Sequence, residues 1–312
     1  MTVSAHAERW MGFPVKDYLE CLEKRQALDF EGTVYRVASE RYGSEISYEQ
    51  IFRQWAEHPD AALAPGVVVG SWLDEDWDGD SARAVALLVE YAPRLPRLRG
   101  LFFGDITSEE NEISWIQNSD ISPLLNAFPL LETFRVRGSS GLSLGALRHS
   151  TLRSLTVESG GLERTIIEQI TASRLPMLEE LEIWLGSDGY GADHTLADLL
   201  PLLDPARFPR LRRLGLCNCE YQDEVAKAVA ESAIAPQLEG LKLSMGTLGD
   251  VGGMALVGPK SRLGHSLRAL DLHHNYLSER VIEQITAVFP FANVDENEGE
   301  EDPDDRYISV SE

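Results

Sequence analysis

The stretch Ser266–Leu277, SLRALDLHHNYL, constrains this chain more than any other part of it. It sets Leu267, Leu270, Leu272, Asn275 and Leu277 at the spacing LxxLxLxxNxL. Successive side chains of an extended segment point to opposite faces, so Leu270 and Leu272 share one side of a short strand. Leu267 and Leu277 close the same apolar layer, and Asn275 is placed to bond the backbone where the chain turns. One such unit cannot cover its own apolar face and has to be stacked between copies of itself.

The spacing recurs upstream as Leu238-Leu241-Leu243, Leu211-Leu214-Leu216, Leu178-Leu181-Ile183, Leu152-Leu155-Val157, Leu131-Phe134-Val136 and Leu98-Leu101-Phe103. From Leu98 to Leu267 the steps between units are 33, 21, 26, 33, 27 and 29 residues. A repeat of about 28 residues has room for a strand, a turn and a helix. Leu95-Pro96, Phe128-Pro129, Leu175-Pro176 and Phe208-Pro209 each put a helix-ending proline before a strand. These features predict an α/β fold, a leucine-rich-repeat horseshoe (solenoid) with a concave parallel β-sheet and convex helices, in which residues 98–275 form seven parallel strands.

The divisions expected are an N-terminal arm and capping layer over residues 1–60, the solenoid over 61–294 and an acidic tail over 295–312. Residues 1–20 read as an irregular arm. Thr33–Ala38 reads as a strand, Ser47 caps a helix carrying Ile51, Phe52 and Trp55, and Gly66–Gly70 is a divergent repeat strand followed by a helix over Ser81–Tyr91. Convex helices are expected over Glu109–Phe128, broken at Pro123, and over Arg164–Ala172, His194–Leu203, Asp223–Ile234 and Glu279–Phe289. The unit at Leu131 is too short for a helix, and its Gly138-Ser139-Ser140-Gly141 run marks a loop. Gly186–Gly191 and Gly249–Gly258 lack a phosphate-loop pattern and read as turns. Tyr307–Val310 is placed to add an edge strand over the last apolar layer.

Composition excludes several function classes. No apolar run approaches the roughly 18 residues of a membrane span, and the N-terminus MTVSAHAERWMGFP has no apolar core for a secretory signal. Three cysteines, Cys21, Cys217 and Cys219, make no disulfide framework and fit a reducing cytoplasm. The net charge of −23 repels phosphate backbones, which argues against nucleic acid.

The frame resembles leucine-rich repeats of the ribonuclease-inhibitor type. Finer details are similar to a bacterial leucine-rich-repeat family common in actinomycetes. They are Glu112-Ile113-Ser114-Trp115-Ile116, Leu185-Gly186 with Tyr190-Gly191, Leu214-Gly215-Leu216, Leu241–Gly246, Leu270–Asn275 and the closing Arg306-Tyr307. The resemblance spans most of residues 65–312. It implies a horseshoe and, in some genomes, a neighbourhood with radical-SAM-type enzymes, hence an enzyme encoded nearby as one candidate partner. It carries over no site residue.

Aligned strands turn each outward position into a column about 4.8 Å per step. The first column, Arg99, Glu132, Arg153, Glu179, Arg212, Glu239 and Arg268, alternates in sign and predicts an exposed ion-pair ladder. The next columns gather Phe102, Arg135, Arg137, Glu180, Glu182, Trp184, Arg213, Lys242, Asp271 and His273 as a partner-binding concave face, with Trp184 its aromatic anchor and Glu180 paired to Arg213. The expected function is a non-enzymatic scaffold for a protein or peptide partner, without cofactor, metal, nucleic acid or membrane. The alternative is a metal-binding or enzymatic accessory protein using the Cys217/His273 corner. Asp74–Asp80 opens like a calcium loop, yet Val85 stands where the bidentate glutamate belongs.

Overall fold

The computed structural model describes residues 3–39, 46–73, 79–299 and 301–311. Asp74, Glu75, Asp76, Trp77 and Asp78 of the calcium-like run lie outside the described residues. The chain divides into two compact units, Val3–Leu155 with Ser173–Leu175 and Thr156–Ala172 with Pro176–Glu312.

The N-terminal unit runs β1 (Arg9–Trp10), β2 (Phe13–Asp17), α1 (Tyr18–Glu23), β3 (Val34–Val37), α2 (Tyr48–Ala56), β4 (Gly66–Val69), α3 (Ala82–Tyr91), β5 (Gly100–Phe103), α4 (Ser122–Ala127) and β6 (Thr133–Arg137). Strand β7 (Ser154–Glu158) follows at the division between the units. The C-terminal unit continues with α5 (Arg164–Ala172), β8 (Glu180–Gly186), α6 (Leu196–Leu199), β9 (Arg213–Cys219), α7 (Gln222–Glu231), β10 (Gly240–Lys242), α8 (Asp250–Val257), β11 (Ala269–Asp271), α9 (Glu279–Val288) and β12 (Ala292–Asn293). In the N-terminal unit β2 to β6 pair in parallel and in chain order, with β1 antiparallel to β2. In the C-terminal unit β8 to β12 do the same, all parallel. The architecture is the expected α/β solenoid type, strands in sequence order alternating with helices.

The leucines fix the register. Leu181, Leu214, Leu241 and Leu270 stand opposite one another on successive strands and are buried. Their neighbours Glu180, Arg213 and Lys242 therefore point to the other side, here called the open face. Near the end of β9 and just past β10 and β11, Asn218, Met245 and His274 occupy the same repeat position with positive φ of 54°, 64° and 50°. That conformation turns the chain out of the sheet at each repeat. Asn275 is fully buried in the turn; its amide donates to the carbonyls of Leu243 and Leu272, each at 2.9 Å, and its oxygen accepts from Leu248 N at 3.1 Å. One side chain thus satisfies backbone groups of two neighbouring repeats.

Several expectations need correction. The N-terminal segment is not irregular: Phe13 and Val15 alternate in β2, and Asp17 caps α1 by accepting from Glu20 N at 3.0 Å. Pro123 does not break a long helix; it sits in the first turn of α4, where a missing N–H costs nothing. Residues 250–257 form a helix rather than a turn. Gly252 and Gly253 belong there because a Cβ at either would lie 2.5 Å from Asp223 Oδ1 or 2.7 Å from Leu277 Cδ2, so the glycines allow close helix contact. The tail adds no edge strand. Ser309 N donates to Met245 O at 2.9 Å and Val310 N to Asn218 Oδ1 at 3.0 Å, so the tail crosses the strand ends, with Ile308 and Val310 buried. Among the described residues no helix is long and apolar enough to cross a membrane.

Leu270→Ala should cost about 2–5 kcal/mol through the cavity it leaves, and Asn275→Ala about 1–3 kcal/mol through unsatisfied backbone groups. Arg99→Ala, whose side chain is half-exposed, should change stability by less than about 1 kcal/mol. Denaturant unfolding midpoints check this ranking; equal losses at Arg99 and Leu270 would contradict it.

Candidate functional site

The ten residues expected on one face do not share one environment. In the N-terminal unit Phe102 is not exposed. Val34, Val68 and Phe102 form a buried cluster against which Ala7, Trp10, Phe13 and Val15 pack. The Trp10 ring centre lies 5.5 Å from that of Phe102, and the Arg135 and Arg137 guanidinium carbons lie 4.5 and 5.2 Å from the Phe102 ring centre. The chain's own N-terminal segment thus covers the open face here.

Arg137 is also buried, in an ion cluster centred on Asp105. The fully buried Asp105 carboxylate lies 3.5 Å from Arg36, Arg137 and His6, and accepts from Ala7 N at 3.3 Å. Arg36 reaches on to Glu110 at 2.8 Å and Asp17 at 3.2 Å. Burial alone would raise the Asp105 pKa, but His6, Arg137 and Arg36 outweigh it and hold the carboxyl below its usual range. The cluster anchors the segment that covers Phe102.

In the C-terminal unit five of the ten residues come together. Glu180, Glu182, Arg213, Lys242 and Asp271 line a cleft of about 290 Å³ on the open face. The cleft exists because of what its floor lacks. Register sets Arg213, Gly240 and Ala269 in one row and Gly215, Lys242 and Asp271 in the next, so the floor carries Gly215, Gly240 and Ala269 where larger side chains would fill it. Phe291 and Asn293 close one end, and Arg268 stands on the rim.

The walls are charged. Arg213 pairs with Glu180 at 3.3 Å, and Lys242 with Glu182 at 2.7 Å. Burial alone would lower the Lys242 pKa, but Glu182 beside it outweighs burial and raises it. Asp271 is held low although burial opposes this, because His273 lies 2.7 Å away and Lys242 is nearby. The first-column ladder forms at Arg99–Glu132 and, at 3.7 Å, Arg212–Glu239, whereas Arg268 binds the carbonyls of His265 and Leu267 instead of Glu239.

Trp184 is not an exposed anchor. It is 8% exposed and its indole N–H donates to Glu182 at 3.0 Å, which orients the partner of Lys242. Sequence reasoning missed Gly215, Gly240, Ala269 and Phe291 because small or late residues carry no chemistry of their own. For Gly240 and Ala269 the signal was the recurrence of a small residue immediately before the first inward strand residue, at Gly66, Gly100, Gly240 and Ala269.

At the Cys217/His273 corner, Cys217 is fully buried, its thiol pushed up to about 12 by burial, and it accepts a contact from Ser244 Oγ at 3.6 Å. A thiol held protonated is a poor nucleophile and ligand. Among the described residues no group of three or more His, Cys, Asp or Glu is arranged to hold a metal ion.

The strand order, helix alternation and leucine register define the class as a leucine-rich-repeat-like α/β solenoid protein. A crystal structure from Bacteroides fragilis is similar to it at 32% identity and a TM-score of 0.75, covering 84% of this chain and 72% of that one. The chain belongs to the family of that Bacteroides fragilis protein. No protein-family profile matches the chain, and no curated protein sequence does.

Asp105→Asn should destabilise the N-terminal unit by about 3–5 kcal/mol, because it leaves two buried arginines without their shared counter-charge. The folded-state pKa of Asp105 is depressed, so its contribution is present above the ordinary carboxylate range and is lost as pH falls through the depressed value. Unfolding midpoints measured from pH 7 down to pH 2 should fall less steeply in the variant than in the parent chain. An unchanged slope would contradict this role.

Proposed function

We propose that this protein is a non-enzymatic binding scaffold that holds a protein or peptide partner in the open-face cleft of its C-terminal unit. The observation that carries the reading is the cleft itself, an apolar floor of Gly215, Gly240 and Ala269 between two ion pairs. Rigid strands lose little entropy on binding, and a floor without side chains lets a partner approach the sheet backbone. At about 290 Å³ the cleft lies at the small end of ligand sites, which suits one or two side chains of a polypeptide. The burial and raised pKa of Cys217 favour this reading over chemistry at the Cys217/His273 corner. We read the repeats as ribonuclease-inhibitor-like from their period, with kinship to the actinomycete family and an enzyme encoded nearby as the first partner to examine. Three free, buried cysteines favour the cytoplasm.

Affinity capture from the native lysate tests the reading when run beside two variants. Ala269 is exposed on the cleft floor, so Ala269→Phe fills the cleft without disturbing the core. Glu168→Lys alters the exposed side of α5. A specific partner should be lost with Ala269→Phe, at least about tenfold, and kept with Glu168→Lys. Retention by Ala269→Phe and loss with Glu168→Lys would overturn the proposal.

A further inference from the structure

The N-terminal unit contains an occupied version of the site that is open in the C-terminal unit. Gly66 and Gly100 stand at the same repeat position as Gly240 and Ala269, each just before the first inward residue of its strand. Over Gly100 lies Met11. A Cβ built on Gly100 would fall 1.7 Å from the Met11 sulfur and 2.9 Å from Trp10 Nε1, and one on Gly66 would fall 3.5 Å from the same sulfur. Met11 and Gly12 form the tight turn between β1 and β2, with φ of 53° and 85°. The chain therefore fills the space above its own glycine pair with an unbranched side chain presented from a turn.

The second observation is charge. Arg268, exposed on the cleft rim, gives its guanidinium only to the carbonyls of His265 and Leu267, and it pairs with no carboxylate among the described residues. The other two rim cations, Arg213 and Lys242, are matched by Glu180 and Glu182. The third carboxylate of the lining, Asp271, is engaged by His273 and Asn293, so Arg268 is left beside the apolar floor as the cation of the lining that no carboxylate engages directly among the described residues. A carboxylate adjacent to an apolar side chain completes both.

We propose that the cleft recognises a polypeptide turn that inserts a methionine-like, unbranched apolar side chain over Gly240 and Ala269 and places one neighbouring carboxylate on Arg268. This rests on the cleft being the binding site, and it names the chemistry of what enters. Methionine suits the space because three rotatable bonds and a polarizable sulfur let it fill an irregular apolar gap. The carboxylate sets orientation through a charge-assisted hydrogen bond, which arginine forms with planar geometry.

The test uses the full chain and two labelled, terminally capped hexapeptides, Ser-Asp-Met-Gly-Ser-Ser and the same peptide with serine in place of methionine, titrated by fluorescence anisotropy. The methionine peptide should bind saturably, the serine peptide at least tenfold more weakly. Arg268→Glu should weaken the methionine peptide at least tenfold and steepen no salt dependence, while Ala269→Phe should abolish binding. Equal binding of the two peptides, binding indifferent to Arg268→Glu, or no saturable binding of the methionine peptide overturns the proposed chemistry. If the peptides fail while a captured partner still depends on Ala269, the chemistry is wrong and the cleft stands; if binding ignores Ala269→Phe in both experiments, both fall.

Discussion

Burial of alternate strand residues against the helices is the constraint on which the other features depend. Leu181, Leu214, Leu241 and Leu270 lie in register and are withdrawn from water, and a slip of one residue would expose the whole row. Once that row is fixed, the residues between the leucines have no freedom to choose neighbours. Glu180 meets Arg213, and Glu182 faces Gly215 with Lys242 one strand further on. The cleft is a consequence of core packing on the opposite side of the same strands.

The strand ends are governed by a different requirement. A chain leaving a parallel sheet exposes backbone groups that need partners, and this protein supplies them from side chains. Asn275 serves Leu243, Leu248 and Leu272. Asn218 accepts from Val310 N and donates to the carbonyls of Val310 and Ser159, so the C-terminal tail and an earlier repeat are both tied to it. In the N-terminal unit the comparable closure is ionic, with Asp105 holding Arg36, Arg137 and the backbone of Ala7.

The repeat strands were legible because leucine spacing encodes both strand direction and register, and the Glu180–Arg213 pair followed from register alone. Helices with apolar faces, α2 behind its Ser47 cap and α5 with Ile166, Ile167 and Ile170, were legible for the same local reasons. Helix α8 was not, because Gly252 and Gly253 look like turn residues until the approach of Leu277 and Asp223 is known. The burial of Phe102 and Arg137 was hidden for a related reason. Nothing near either residue in sequence reveals that Trp10 returns to cover Phe102 or that Asp105 holds Arg137, although Phe13, Val15 and the Asp17 cap do signal a strand and helix where an irregular arm was expected. Outward columns were read correctly as outward; whether an outward residue meets water is a long-range property.

The cleft's role as the point of contact is tested most directly by hydroxyl-radical footprinting of the protein with and without its captured partner. Phe291 at the end of the cleft is 43% exposed and Leu200, which follows α6, is 50% exposed, so both should oxidise readily in the free protein. Partner binding in the cleft should slow oxidation of Phe291 severalfold and leave Leu200 unchanged. Protection of Leu200 with Phe291 still freely oxidised would contradict the account.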